Sequence, residues 1–138
     1  MKTIVVAYDA SDSARAALER AADLTQAFDA KLILVSVAPV MQGIARTGGI
    51  DPTDPPEQRA AELDEAQALV SGRGVQAESV VAVGHPDEGI VEVAKERDAD
   101  LIVIGSRQVG MVARLLGQSV SDPVVRNAPC DVYVVHQK

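Results

Sequence analysis

Aromatic side chains are almost missing from this chain, which has two Tyr, one Phe and no Trp in 138 residues. Single-stranded nucleic acid is held by aromatic platforms in a basic groove, and here only Tyr8, Phe28 and Tyr133 offer a ring to a base. Positive charge is also short: 13 Lys and Arg stand against 20 Asp and Glu, a formal net charge of −7. The basic residues form no cluster, so neither a phosphate backbone nor an anionic membrane surface is expected as a partner. One cysteine, Cys130, excludes an internal disulfide, suits a reducing compartment and reads as a small core residue. No apolar run approaches the ~20 residues that span a bilayer. No apolar segment follows a basic start as a secretory leader would, and the expectation is a cytoplasmic protein. The two histidines, His85 and His136, lack metal-ligand spacing. No nucleophile, general base and oxyanion donor occur together, so neither a metal site nor an enzyme is expected.

What is present is aliphatic. Nearly half the residues are apolar (47%), and a core of Val, Ile, Leu and Ala suits slender helices laid closely on a sheet. A chain of this length forms one domain and buries roughly 65–70% of its unfolded surface.

Taken in order, Thr3–Tyr8 is a short β-branched run, as in a strand covered on both faces. Ser11 or Asp12 caps a helix whose apolar stripe is Ala14, Ala17, Leu18, Ala21, Leu24, Thr25 and Phe28. Lys31–Val37 is the second strand. Pro39–Pro56 has no periodicity and reads as a long loop. A helix then opens at Pro55, Pro56 and Glu57, presents Ala60, Leu63, Ala66, Gln67 and Val70 along one side, and stops near Ser71 at Gly72 and Gly74. Val75–Val83 is the third strand. Pro86 opens a third helix with a stripe of Ile90, Val93 and Ala94, ending near Arg97. Asp100–Ile104 is the fourth strand, Ser119–Asn127 the last helix with Pro123 in its first turn, and Asp131–His136 the fifth strand. Strict alternation without repeats or a linker predicts one α/β domain, a parallel sheet with helices on both faces.

The most informative stretch is Gly105–Ser121, GSRQVGMVARLLGQSVS. Glycine at the carboxyl end of a buried parallel strand permits a sharp turn and a close approach to a ligand. The unpaired N–H groups that open the next helix suit an anion. From Gly105, two residues lead to Gln108, and nine more to Gln118 and Ser119. Neither GxxxxGK[ST] nor GxGxxG after the first strand occurs, and no nucleophile elbow is present.

This frame resembles the universal stress protein family, whose nucleotide-binding members carry glycine, two residues, glycine, nine residues, then glycine before serine or threonine. The opening Ile4-Val5-Val6-Ala7-Tyr8-Asp9-Ala10-Ser11 and the ending Ala128-Pro129-Cys130-Asp131-Val132-Tyr133-Val134-Val135 are similar as well. The departures are Gln108 and Gln118, which stand at two glycine positions and add bulk where a backbone would meet phosphate.

The resemblance implies a doubly wound five-stranded sheet in the order 3-2-1-4-5, of the adenine nucleotide alpha hydrolase-like kind. It also implies a stress-response regulator that takes ATP or a related adenine nucleotide between the first and fourth strands, with Mg only alongside nucleotide. Asp9 then lies near base and ribose; as a bare residue it reads equally as an acid at a helix N-terminus. Val37 and Ile104 match apolar positions lining adenine, and otherwise read as core. Gly105, Arg107, Gln108, Gly110, Gln118, Ser119 and Val120 fall on the phosphate segment, and Ser11 beside Asp9. Ser119 equally caps the last helix.

Three functions compete. The first is nucleotide-responsive regulation. The second is a dimeric adaptor of the same family, with an unidentified protein partner and glutamines filling the phosphate site. The third is a phosphoacceptor receiver domain. A receiver needs an aspartate ending the third strand and a lysine ending the fifth, where this chain has Val83-Gly84 and Val135-His136. The resemblance also implies a homodimer through the edge strand Val132, Tyr133, Val134 and Val135.

Overall fold

The computed structural model describes residues 1–38, 56–106 and 121–136. Its elements are β1 (Thr3–Ala7), α1 (Asp12–Phe28), β2 (Lys31–Ala38), α2 (Pro56–Ser71), β3 (Ala77–Val83), α3 (Pro86–Glu96), β4 (Leu101–Gly105), α4 (Ser121–Asn127) and β5 (Asp131–Val135). They form one five-stranded sheet in the order β3-β2-β1-β4-β5, and every pairing is parallel. A receiver domain of the flavodoxin-like kind orders its strands 2-1-3-4-5, so the observed order removes that alternative.

Alternation along each strand divides the core in two. Ile4, Val6, Tyr8, Leu32, Leu34, Leu101 and Val103 face α1 and α2, which contribute Ala14, Ala17, Leu18, Ala21, Leu63, Ala66 and Val70. Val5, Ala7, Ile33, Val35, Ile102 and Ile104 face α3 and α4, which contribute Ile90, Val91, Val93, Ala94 and Val124. Both faces of the central strands are therefore dry, as their unbroken apolar runs require. Alanines predominate on α1, and small side chains let that helix lie close to the sheet.

Three helices leave by the same device, a residue in the left-handed region that lets the next N–H fold back on the last turn. Gly74 (φ 80°) serves α2, with the Val75 N–H donating to the Val70 carbonyl at 3.0 Å. Asp29 (φ 51°) and Asp98 (φ 51°) serve α1 and α3, where Ala30 donates to Thr25 at 3.0 Å and Ala99 to Ala94 at 2.9 Å. Periodicity anticipates the glycine exit but not the two aspartates, which tolerate this region better than most residues.

The observed bounds differ from expectation at a few ends. β1 stops at Ala7, although the Tyr8 N–H still donates to the Val35 carbonyl at 2.8 Å. Val75 precedes β3 and turns into the core instead. Phe28 is 52% exposed rather than part of the α1 stripe, whose buried residues end at Thr25. Gln67 is half-buried and donates to the Ala77 carbonyl at 2.7 Å and the Ser79 hydroxyl at 2.8 Å, tying α2 to the edge strand β3. In the last helix the described residues begin at Ser121, and of the loop Pro39–Pro56 only Pro56 is described, as the first residue of α2.

Candidate functional site

The direction of winding reverses between β1 and β4, which pair directly through Ile4 with Leu101, Val5 with Ile102 and Val6 with Val103. Chains leave these two carboxyl ends in opposite directions, so a crevice opens between them. Asp9 lies two residues past the end of β1, and Gly105 closes β4. The two tips expected to frame one site are thus adjacent.

Asp9 is half-buried and braced by its own turn. Its Oδ1 accepts from the Ser11 N–H at 3.0 Å and from the Ser11 hydroxyl at 2.5 Å. The Ser11 hydroxyl oxygen in turn accepts from the Ala14 N–H at 3.1 Å and caps α1. The carboxylate is therefore fixed through one oxygen, Oδ1. Between them Ala10 holds φ at 64°, a conformation that costs a residue with a Cβ about 1–2 kcal/mol. Nothing in the sequence signals this, since alanine is not a residue of left-handed turns.

Gly105 is bare for a reason the strand-end pattern does not reveal. A Cβ built on it would lie 2.1 Å from the Ser13 Oγ and 2.6 Å from the Ser13 carbonyl oxygen. Ser13 itself is buried in the first turn of α1. The missing side chain thus seats α1 against the tip of β4. Ser13 follows a helix cap and reads in sequence as a solvent-facing polar residue.

Val37 is half-buried near the end of β2, where it pairs with Ala82 of β3. Ala7 with Val35 is the last pair of the β1–β2 ladder, so Val37, like Asp9, lies two residues beyond it. Ile104 is fully buried in the α3/α4 cluster. Arg107, Gln108, Gly110, Gln118, Ser119 and Val120 lie outside the described residues.

Tyr8 does not serve as a stacking platform. It is buried on the α1/α2 face, and its hydroxyl sits by the Arg15–Glu65 ion pair, which spans α1 and α2 at 3.0 Å. Burial, reinforced by the Glu65 carboxylate, holds the phenol protonated above its usual range. Cys130 packs half-buried against the second cluster, and burial raises its thiol. His85 precedes α3 without a side-chain cap, and His136 follows β5; both are exposed. Among the described residues no three His, Cys, Asp or Glu gather to hold a metal ion, and no helix is long and apolar enough to cross a membrane.

β5 is an edge strand, as expected, but its side chains are less open than its composition suggests. Val132 and Val134 rest on the α3/α4 cluster and Val135 is buried in the other, so Tyr133, 38% exposed, is the large apolar side chain left outward.

Residues 1–136 match the universal stress protein family. Similar chains include a universal stress protein of Synechocystis, 36% identical over 97% of this chain and 85% of that one. One of Thermus aquaticus is 33% identical over 97% and 98% of the two chains. Among solved structures, a universal stress protein in complex with cAMP superposes with a TM-score of 0.77 at 32% identity, covering 99% of this chain and 98% of the other. The Archaeoglobus fulgidus protein in complex with dAMP gives 0.77 at 26% identity, with 97% of each chain covered.

Proposed function

The chain belongs to the universal stress protein family, and on that premise we propose that it is a small cytoplasmic regulator that takes an adenine nucleotide in the crevice between β1 and β4. The observation that carries this is Asp9, a half-buried carboxylate at the switch point, held through Oδ1 by Ser11. Its Oδ2 is suited to accept from a ribose hydroxyl or an exocyclic amine. The cAMP and dAMP complexes of similar proteins support the ligand class.

In this reading ATP or a related nucleotide sits with its base towards Val37 and Ile104. Its phosphates lie along the segment after Gly105, with Arg107, Ser119 and the amides of Gln108 and Gln118 as donors and Mg only alongside the phosphates. The protein is not an enzyme in this proposal. Binding favours one of two states of the protein by its difference in affinity for them, and a protein partner reads that state. Association into a homodimer through β5 completes the adaptor.

Gln108 and Gln118, bulky at two positions where the nucleotide-binding frame has glycine, favour a second reading: a dimeric adaptor that needs no nucleotide. Thermal melting with and without ATP separates the two. At a hundredfold excess over Kd, a ligand bound only by the folded state adds about 2.7 kcal/mol. Native mass spectrometry of freshly purified protein then shows whether adenylate travels with it. No shift at millimolar ATP and no adduct would leave the adaptor reading standing.

A further inference from the structure

Gly89 sits in the first turns of α3, buried, where its N–H donates to the His85 carbonyl at 2.9 Å. A Cβ built there would meet both methyls of Val37, Cγ2 at 3.0 Å and Cγ1 at 3.1 Å, with the Ala82 Cβ at 3.5 Å. Its φ is not in the left-handed region, so the backbone does not call for glycine. The space does. Val37, like Asp9, lies two residues beyond the last β1–β2 pair, Ala7 with Val35, and its β-branched side chain has few rotamers with which to yield. The missing side chain on α3 therefore decides where the two Val37 methyls stand near the carboxyl end of β2.

We propose that Gly89 is a positioning residue for the ligand site: it touches no ligand, but sets the apolar wall that Val37 offers to a nucleobase. The claim rests on the nucleotide reading given above. A side chain at 89 pushes the methyls away from α3 and narrows the space beside Asp9, so binding weakens although every binding residue is intact.

The test is a stability cycle of wild type, Gly89→Ala, Val37→Ala and the double variant, with ATP affinity measured on all four by calorimetry. In most helices Gly→Ala raises the melting temperature. Here that gain should be absent or reversed while Val37 is present, and should return in the Val37→Ala background. In step with it, Gly89→Ala should weaken ATP binding roughly threefold to tenfold relative to wild type, and should cost nothing once Val37 is alanine. An equal melting gain in both backgrounds overturns the contact. A contact confirmed by melting with unchanged affinity overturns the positioning role. If no variant binds ATP, the nucleotide reading fails and takes the positioning role with it, while the melting cycle, which contains no nucleotide, still reports the packing separately.

Discussion

Gly105 and Ser13 are in mutual contact so close that a single methyl on the glycine would fall 2.1 Å from the serine Oγ and 2.6 Å from its carbonyl oxygen. One of those atoms is main chain and cannot swing aside. Gly105→Ala should therefore destabilise the fold by about 3 kcal/mol, the upper end of overpacking costs. Shortening the neighbour relieves only the hydroxyl clash, so Ser13→Ala should rescue the variant in part. Urea unfolding of both single variants and the double measures this, and full rescue would place the strain elsewhere.

Ala10 holds φ at 64° between the two residues of the Asp9–Ser11 turn. Glycine accepts this region freely but loses more entropy on folding. Ala10→Gly should accordingly stabilise by about 0.5–1 kcal/mol, while Ala10→Val, with a branched Cβ, should destabilise by about 1–3 kcal/mol. Denaturant midpoints at constant m-value decide the matter; a destabilising glycine would show that the turn is not strained.

The fold was open to reading because its signals are redundant. Five apolar runs, each flanked by turn chemistry and separated by three- and four-residue spacing, leave few arrangements other than a doubly wound sheet. Asp9 and Gly105 were legible as strand-end residues for the same reason. What stayed hidden were contacts between elements distant in sequence. Ser13 against Gly105 and Val37 against Gly89 depend on how closely two backbones approach, and residue type alone does not carry that distance. Alternation along β1 likewise turns the Tyr8 ring into the α1/α2 core, so of the three rings in the chain this one is withdrawn from solvent.

Asp100 clamps the start of β1: its Oδ2 accepts from the Lys2 N–H at 2.8 Å and the Thr3 N–H at 3.0 Å. These two donors hold its carboxyl below the usual range. A folded-state pKa below the unfolded one gives stability that is complete above the unfolded value of about 3.9 and fades as pH falls through the folded value. Asp100→Asn should thus melt below wild type at neutral pH, and the gap should narrow below about pH 4. Glu78, lowered chiefly by Arg97 and also by Lys31, titrates in the same direction and is common to both proteins, so the difference between their melting curves isolates Asp100. A gap independent of pH would mean that the clamp does not need charge.

Tyr133 is the outward apolar side chain on the edge strand β5, since its neighbours Val132 and Val134 lean on the core. A second copy pairing along this edge would bury the ring in the interface, because a twofold interface sets the same patch against itself. Tyr133→Glu then puts a carboxylate from each copy into the interface and removes the apolar contact. The dimer should dissociate at least roughly tenfold more readily, since either change alone is worth a kilocalorie or more. The variant should keep its fold, as the side chain is already partly in solvent. Light scattering after size exclusion, over a range of concentrations, reads the outcome. A wild-type dimer that persists unchanged in Tyr133→Glu would move the interface off β5, to the opposite edge, where Val81 and Val83 of β3 are also exposed.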